Sequence, residues 1–435
     1  MKIKTKNLPL VAAMSALIGL TLTAFVSPTV SASARMPATA AQSKIVVKDQ
    51  ASCAKKARGF ASCLAIRRTI TLNGVSSKFR PLASIQPLGG IAYGANQLRK
   101  AYGVTELGAR YKVIAIVDAY HSASAFADLS DYRAMYNLGP MDDCTAQPGS
   151  GSAPATATPV TAIPAGKNPC FLQLDQSGLP VSAHNTEDAG WAQETALDLE
   201  MASAICPHCS IVLVEAKTAT MTNFDRAVSA ASAIKGVRSI SNSYGGFDVS
   251  EAKYGAYGSA NAKGIAVVAS SGDSGFGVSA PASFASVIAV GGTSLRIDSK
   301  GKWLTESAWA KAGSGCSNLN FSADWQNAAS TRCAGKLTAD VSAVADPATG
   351  VAVSFEGGWY TFGGTSVAAP IIAGMFAIGP DVGDSAGAYL VANAAKLHDI
   401  TDGNNGRCDL QLWCNAGAGW DGPTGLGSPN GSDAF

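Results

Sequence analysis

Four short apolar runs, separated by alanine-rich helical sequence, constrain this chain more than any other feature. Residues 111–118, 210–216, 265–270 and 286–290 are rich in Val, Ile and Ala and almost free of charge. Around them, residues 125–136, 191–205, 223–234 and 249–262 have helical composition. A strand that is apolar on both faces must be covered on both faces, and helices alternating with strands supply that cover. The pattern predicts an α/β fold, a mainly parallel sheet with helices on both faces. In such sheets function sits at the carboxyl ends of strands.

The chain is long enough, at 435 residues, for one large domain or two ordinary ones. Residues 1–34 have the parts of a signal peptide. Lys2, Lys4 and Lys6 precede a mostly apolar stretch from Leu8 to Val26, and Val30-Ser31-Ala32 and Ala32-Ser33-Ala34 offer cleavage sites. A membrane anchor is the competing reading, disfavoured because Ser and Thr break the stretch and Pro28 follows it. The expectation is a secreted, extracellular protein, with the periplasm as the other compartment, and no membrane association after signal removal. Residues 35–85 form a short basic segment, too small to fold alone without staples. Residues 86–435 carry the α/β pattern, interrupted at 145–169 by a surface loop between Cys144 and Cys170.

Net charge is +2, and three of the lysines belong to the signal, so the mature chain is near neutral. No basic run points to nucleic acid or lipid. The ten cysteines fall as neighbours, Cys53/Cys63, Cys144/Cys170, Cys206/Cys209, Cys316/Cys333 and Cys408/Cys414. Five local disulfides are the simplest pairing, with connectivity open. Cys206-Pro207-His208-Cys209 has redox and metal readings too. It lacks both a second Cys/His pair and a thioredoxin-like frame, which favours a structural disulfide.

Gly363-Gly364-Thr365-Ser366 leads through Val367-Ala368-Ala369-Pro370 into an apolar run. Glycines permit a sharp corner, and a helix N-terminus favours developing negative charge, so Ser366 is a candidate nucleophile. Pro370 fits a first helical turn. A plain N-cap serine is the alternative, and a partner base decides between the two. The chain has four histidines, His121, His184, His208 and His398, none in a His-Gly-Thr-His run; each reads as solvated or capping. Glu194 and Asp198, four apart, project from one helix face among Ala192, Thr195, Ala196, Leu197 and Leu199. Two acids held close share a proton, so one accepts while the other orients it. The competing reading is a solvated acidic face with Glu187, Asp188 and Glu200. Asp273, in a Gly-rich turn at a strand end, donates a hydrogen bond to an oxyanion only when protonated.

In this order, Glu194 with Asp198, Ser271-Gly272-Asp273-Ser274-Gly275 and Gly364-Thr365-Ser366 resemble the sedolisin, or serine-carboxyl peptidase, family. The resemblance implies a subtilisin-like fold over residues 86–435 and a serine endopeptidase working through an acyl-enzyme in acid. It implies Ser366 as nucleophile, Glu194 as general base, Asp198 as its orienting carboxylate and Asp273 as oxyanion-hole acid. Residues 239–246 resemble the segment that pairs with extended substrate, with Ser243, Tyr244 and Gly245 as substrate-binding residues. Asp399, Ile400, Gly417, Gly419 and Asp421 resemble the family's site for one Ca2+ ion, with carboxylates from the aspartates and carbonyls from the rest. The implied partners are protein or peptide substrates, and a monomer is expected. Family members carry a large prodomain, and residues 35–85 are expected to be a reduced one.

A trypsin-like enzyme using Ser274 lacks its Ala-Ala-His-Cys run and contradicts the parallel pattern. A catalytically inactive secreted binding protein on a peptidase scaffold is the alternative from another class.

Overall fold

The strand Val113–Ala119 is buried along its whole length, and alternate side chains enter different cores. Ile114 and Ile116 pack on one face with Leu197 and Leu199 of the helix Ala189–Ile205 and with Ile371 and Ile372 of the helix Thr365–Ile378. Val113, Ala115 and Val117 pack on the other with Phe224 and Val228 of the helix Met221–Ser232 and Tyr257 of the helix Gly255–Asn261. That double burial is why the run contains no polar alternation. The computed structural model describes residues 45–55, 57–72, 75–76, 92–145, 158–181, 186–327 and 331–435. The expected signal peptide and His184 lie outside them.

Among the described residues Val113–Ala119 sits inside a nine-stranded sheet. Its spatial order is Trp303–Ala308, Ile288–Ile297, Ala266–Ser270, Val237–Asn242, Val113–Ala119, Ser210–Ala216, Cys170–Asp175 and Asp142–Asp143. Val341–Val344 branches beside Ile288–Ile297. All neighbours run parallel except Trp303–Ala308. The predicted α/β architecture is present, with the four expected runs displaced by a few residues at most at their starts. The run at 286–290 extends to Ile297, where it gains the antiparallel partner. The helix expected over 249–262 is reduced to a turn at Glu251–Lys253 and the short helix Gly255–Asn261. Gly255 and Gly258 weaken helical propensity there.

A second, antiparallel sheet joins Ile45–Ala51, Ile66–Leu72 and Val75–Ser76 to Gly358–Gly363 and Val351–Phe355. The strands Ile45–Ala51 and Ile66–Leu72 therefore share a sheet with the strand that leads into Ser366. All five neighbouring cysteine pairs form disulfides. None of the helices among the described residues is long and apolar enough to cross a membrane.

Candidate active site

Gly364 turns the chain from the strand Gly358–Gly363 into the helix Thr365–Ile378 at φ +102°, a conformation that side-chain-bearing residues rarely adopt. Ser366 thus lies in the first turn, fully buried, where backbone amides have no intrahelical acceptor. Its Oγ donates to the Ser243 carbonyl at 3.2 Å. Pro370 is not in the first turn as expected but inside the helix. Its missing N–H leaves the Ser366 carbonyl, four residues earlier, without an intrahelical donor.

Asp188 starts the helix Ala189–Ile205 by accepting the Gly190 and Trp191 amides at 3.0 and 3.1 Å. The helix then carries Glu194 and Asp198 beneath Ser366 into the core, both with no solvent exposure. The solvated acidic face is excluded: Asp188 is the cap, and Glu200 is buried, accepting the Ser354 amide at 3.0 Å. Asp118, at the carboxyl end of its strand, joins the pair as a third buried acid. Burial drives all three carboxyls up, Asp118 to about 7 and Glu194 and Asp198 well above the ordinary range. The neighbouring Asp118 charge pushes Glu194 and Asp198 further, while the Ser366 hydroxyl and the Ala65 amide oppose the rise at Glu194. Acids this close cannot all ionise, so they hold protons in common.

Asp273 approaches from the opposite side. Its Oδ1 accepts the Thr365 amide at 2.8 Å and the Thr365 hydroxyl at 2.9 Å. Its Oδ2 is buried without a partner, and burial raises the carboxyl to about 7. A protonated Oδ2 is a hydrogen-bond donor aimed at the cleft beside Gly364.

Sequence reasoning missed two parts. Asp118 is one; its signal was an acid closing an apolar strand at the carboxyl edge of a parallel sheet. The other is the occupant of the cleft. Ser62 and Cys63 pair antiparallel with Gly245 and Tyr244, so residues 243–245 already hold an extended segment of the same chain. Ser243 and Gly245 face that segment through backbone, and so does Tyr244. The Tyr244 side chain points away, stacked on Phe224 and bonded to Asn242 and Tyr257 at 2.7 and 2.9 Å. Beyond the segment an open cleft of about 710 Å³ is lined by Phe247, Asp273, Phe276, Val278, Ser279 and Lys311, among others.

The described histidines lie elsewhere. His121 Nδ1 meets Glu215 at 2.9 Å, His398 stacks on Trp303 at 3.9 Å, and His208 is exposed in the turn closed by Cys206 and Cys209.

Asp399 and Asp421 meet across one turn. Gly417 N–H donates to Asp421 at 3.1 Å and Gly419 N–H to Asp399 at 2.9 Å. Both glycines thus present amides to the carboxylates. Asp421 has no solvent exposure, and burial followed by weaker repulsion from Asp399 raises it to about 7. Among the described residues no group of three or more His, Cys, Asp or Glu is arranged to hold a metal. A cation here would draw on these two carboxylates and on backbone carbonyls.

The subtilase family model, peptidase S8, matches residues 172–384, a span that includes Glu194, Asp198, Asp273 and Ser366. Kumamolisin from Bacillus sp. (strain MN-32) is 34% identical over 274 residues, 55% of this chain and 49% of its own. Sedolisin from Pseudomonas sp. (strain 101) is 34% identical over 171 residues, 35% of this chain and 29% of its own. These comparisons support a likeness to the sedolisin family, in agreement with the resemblance carried by the motifs. The chain spans about half the length of kumamolisin. The structure of Pseudomonas sedolisin, a serine-carboxyl proteinase complexed with two molecules of pseudo-iodotyrostatin, matches with a TM-score of 0.62 at 22% identity. That match covers 79% of this chain and 96% of that one. The fold of this chain is subtilisin-like, as the resemblance implied.

Proposed function

We propose that this chain is an exported serine endopeptidase of the serine-carboxyl type, most active in acid on protein or peptide substrates. One observation carries the reading: a buried serine, a buried carboxylate pair and a partnerless carboxyl oxygen gather around the extended backbone at Leu64 and Ala65. Glu194 takes the Ser366 proton as Oγ attacks the peptide carbonyl carbon, and Asp198, beside Asp118, keeps Glu194 oriented and the set singly charged. Protonated Asp273 and first-turn backbone amides stabilise the oxyanion. When the C–N bond breaks, Glu194 returns the proton to the leaving nitrogen. Water then attacks the ester, gives a proton to Glu194, and restores Ser366. Above pH 7 Asp273 ionises and repels the oxyanion, so activity falls.

Five disulfides support an oxidising compartment. One Ca2+ ion is proposed at Asp399 and Asp421 with the carbonyls of Ile400, Gly417 and Gly419. The fit rests on hard oxygen donors and on two carboxylates that repel without a counter-charge. The ion would supply a clamp for the C-terminal turn. Casein digestion across pH 3–8, beside Ser366→Ala, tests the function. Acid-optimal digestion abolished in the variant is expected, and undiminished digestion by Ser366→Ala would overturn the reading.

A further inference from the structure

The row of acids near Ser366 continues past Asp118. Side chains alternate along a strand, so Asp118 shares the face of Ile114 and Ile116, and Glu215 shares the face of Ile211 and Leu213. The helix Ala189–Ile205, which carries Glu194 and Asp198, packs on that face of the sheet. Asp118 and Glu215 are register partners on adjacent parallel strands, a spacing of about 4.8 Å, and both are buried. Two carboxylates so placed repel unless one of them is neutralised.

Glu215 is neutralised from its other side. Its Oε2 meets His121 Nδ1 at 2.9 Å, and its Oε1 accepts the Ser122 amide at 3.0 Å and Gln173 Nε2 at 2.7 Å. The chain reverses at Tyr120, which holds φ +66° and donates its amide to the Ala216 carbonyl at 2.8 Å. A residue with a side chain is uncommon in that region, and here it turns His121 and the Ser122 amide back onto Glu215. Gln173 is fixed in turn by donating to the Ser122 carbonyl at 3.0 Å.

The hydrogen bond from Glu215 raises His121 above its ordinary 6.5, burial opposes the rise, and the charges of Glu215 and Glu187 add to it. Among the described residues these two are the charged groups facing His121, Glu215 from the neighbouring strand and exposed Glu187 from the segment bridged to it. Asp175, the register partner of Glu215 on its far side, is committed to its own turn, where it accepts the Ser177 and Leu179 amides at 2.7 and 3.1 Å. Burial raises Asp118 to about 7, with the Thr195 hydroxyl opposing and the Glu215 charge adding. The Asp118 charge then acts on Glu194 and Asp198.

Resting on the peptidase reading, we propose that His121 and Glu215 are a positioning pair: the imidazolium cancels the Glu215 charge, so that the one negative charge of the inner acids is free to settle on Glu194. His121 touches no reacting atom and acts through Glu215 and Asp118. While His121 is protonated the outer pair is neutral. Once it loses that proton, bare Glu215 opposes charge on Asp118 and on the carboxylates beyond it.

The pH dependence of kcat/KM on a quenched fluorescent peptide tests this, because its rising limb reports the ionisation of the base in the free enzyme. His121→Gln leaves Glu215 charged and unpaired, and the limb is expected to move up by about one pH unit. Glu215→Gln leaves the imidazolium unpaired, and the limb is expected to move down. His121→Arg restores a cation, so its limb should coincide with that of the unsubstituted protein. In Ser366→Ala, where activity plays no part, the His121 ring resonance should titrate above 6.5. Adding Glu215→Gln should bring that titration down. A limb unmoved in either glutamine variant, or moved equally by His121→Arg and His121→Gln, overturns the inference. So does a His121 titration that is the same with and without Glu215. Each of these leaves the peptidase reading standing, since hydrolysis still depends on Ser366. A chain with no hydrolysis that Ser366→Ala removes overturns the peptidase reading and this inference with it.

Discussion

Ala65 N–H donates to Glu194 Oε2 at 2.7 Å, linking an N-terminal residue to a carboxylate buried in the central helix. This contact places a peptide nitrogen of the chain where a leaving nitrogen would take up its proton. It also supplies one of the few interactions favouring the charged form of Glu194.

In the proposed mechanism Asp273 sets the upper limit of the working pH. Its carboxyl, raised to about 7 by burial, donates only while protonated. Asp273→Ala is expected to lower kcat about 10²–10³-fold, the range for loss of one oxyanion donor. Asp273→Asn keeps a donor that does not titrate, so it should retain more activity and lose the fall near pH 7. Steady-state rates from pH 4 to 8 read both effects.

Stability should decline as pH rises. Asp118, Asp273 and Asp421 are raised from 3.8 to about 7, so the folded chain binds protons the unfolded chain has lost. Their stabilising protonation is complete below pH 4 and disappears between about 4 and 7. Each contributes a slope of up to about 1.4 kcal/mol per pH unit in that window. Thermal melts of Ser366→Ala, which cannot digest itself, should show Tm falling from pH 4 to 8. A rising Tm would contradict the assignment.

Gly364→Ala combines two penalties, a side chain at φ +102° and a Cβ against the Leu64 carbonyl. The expected cost is about 1–3 kcal/mol of stability. Displacement of the 61–66 segment should accompany it, seen as faster exchange of the Ala65 amide.

Calcium binding should draw Asp421 back to its charged form and offset part of its alkaline loss. Chelation is therefore expected to lower Tm more at pH 7 than at pH 4, and metal analysis should find one Ca2+ per chain. Asp399→Ala should abolish that difference.

The central fold was legible because Val113–Ala119, Ser210–Ala216 and Ala266–Ser270 are buried on both faces, and such burial writes an unbroken apolar run. Glu194 and Asp198 stood out as candidates by their four-residue spacing on an apolar helix, and Asp273 and Ser366 by their Gly-rich turns. Asp118 was visible as a strand-ending acid, but nothing local shows that it faces Glu194. The cleft occupant was hidden for a similar reason. Ser62 and Cys63 form a two-residue strand whose partners, Gly245 and Tyr244, are distant in sequence, and neither period nor composition encodes that register. Pro370 misled because proximity to the helix start was read as the first turn.

The central claim is that a carboxylate, not a histidine, takes the proton of Ser366. Peptide hydrolysis by Glu194→Gln at pH 4, with folding verified by circular dichroism, tests it most directly. The account predicts a loss of about 10³-fold or more in kcat, since an amide cannot accept that proton. Activity within a few-fold of the unsubstituted protein would contradict it.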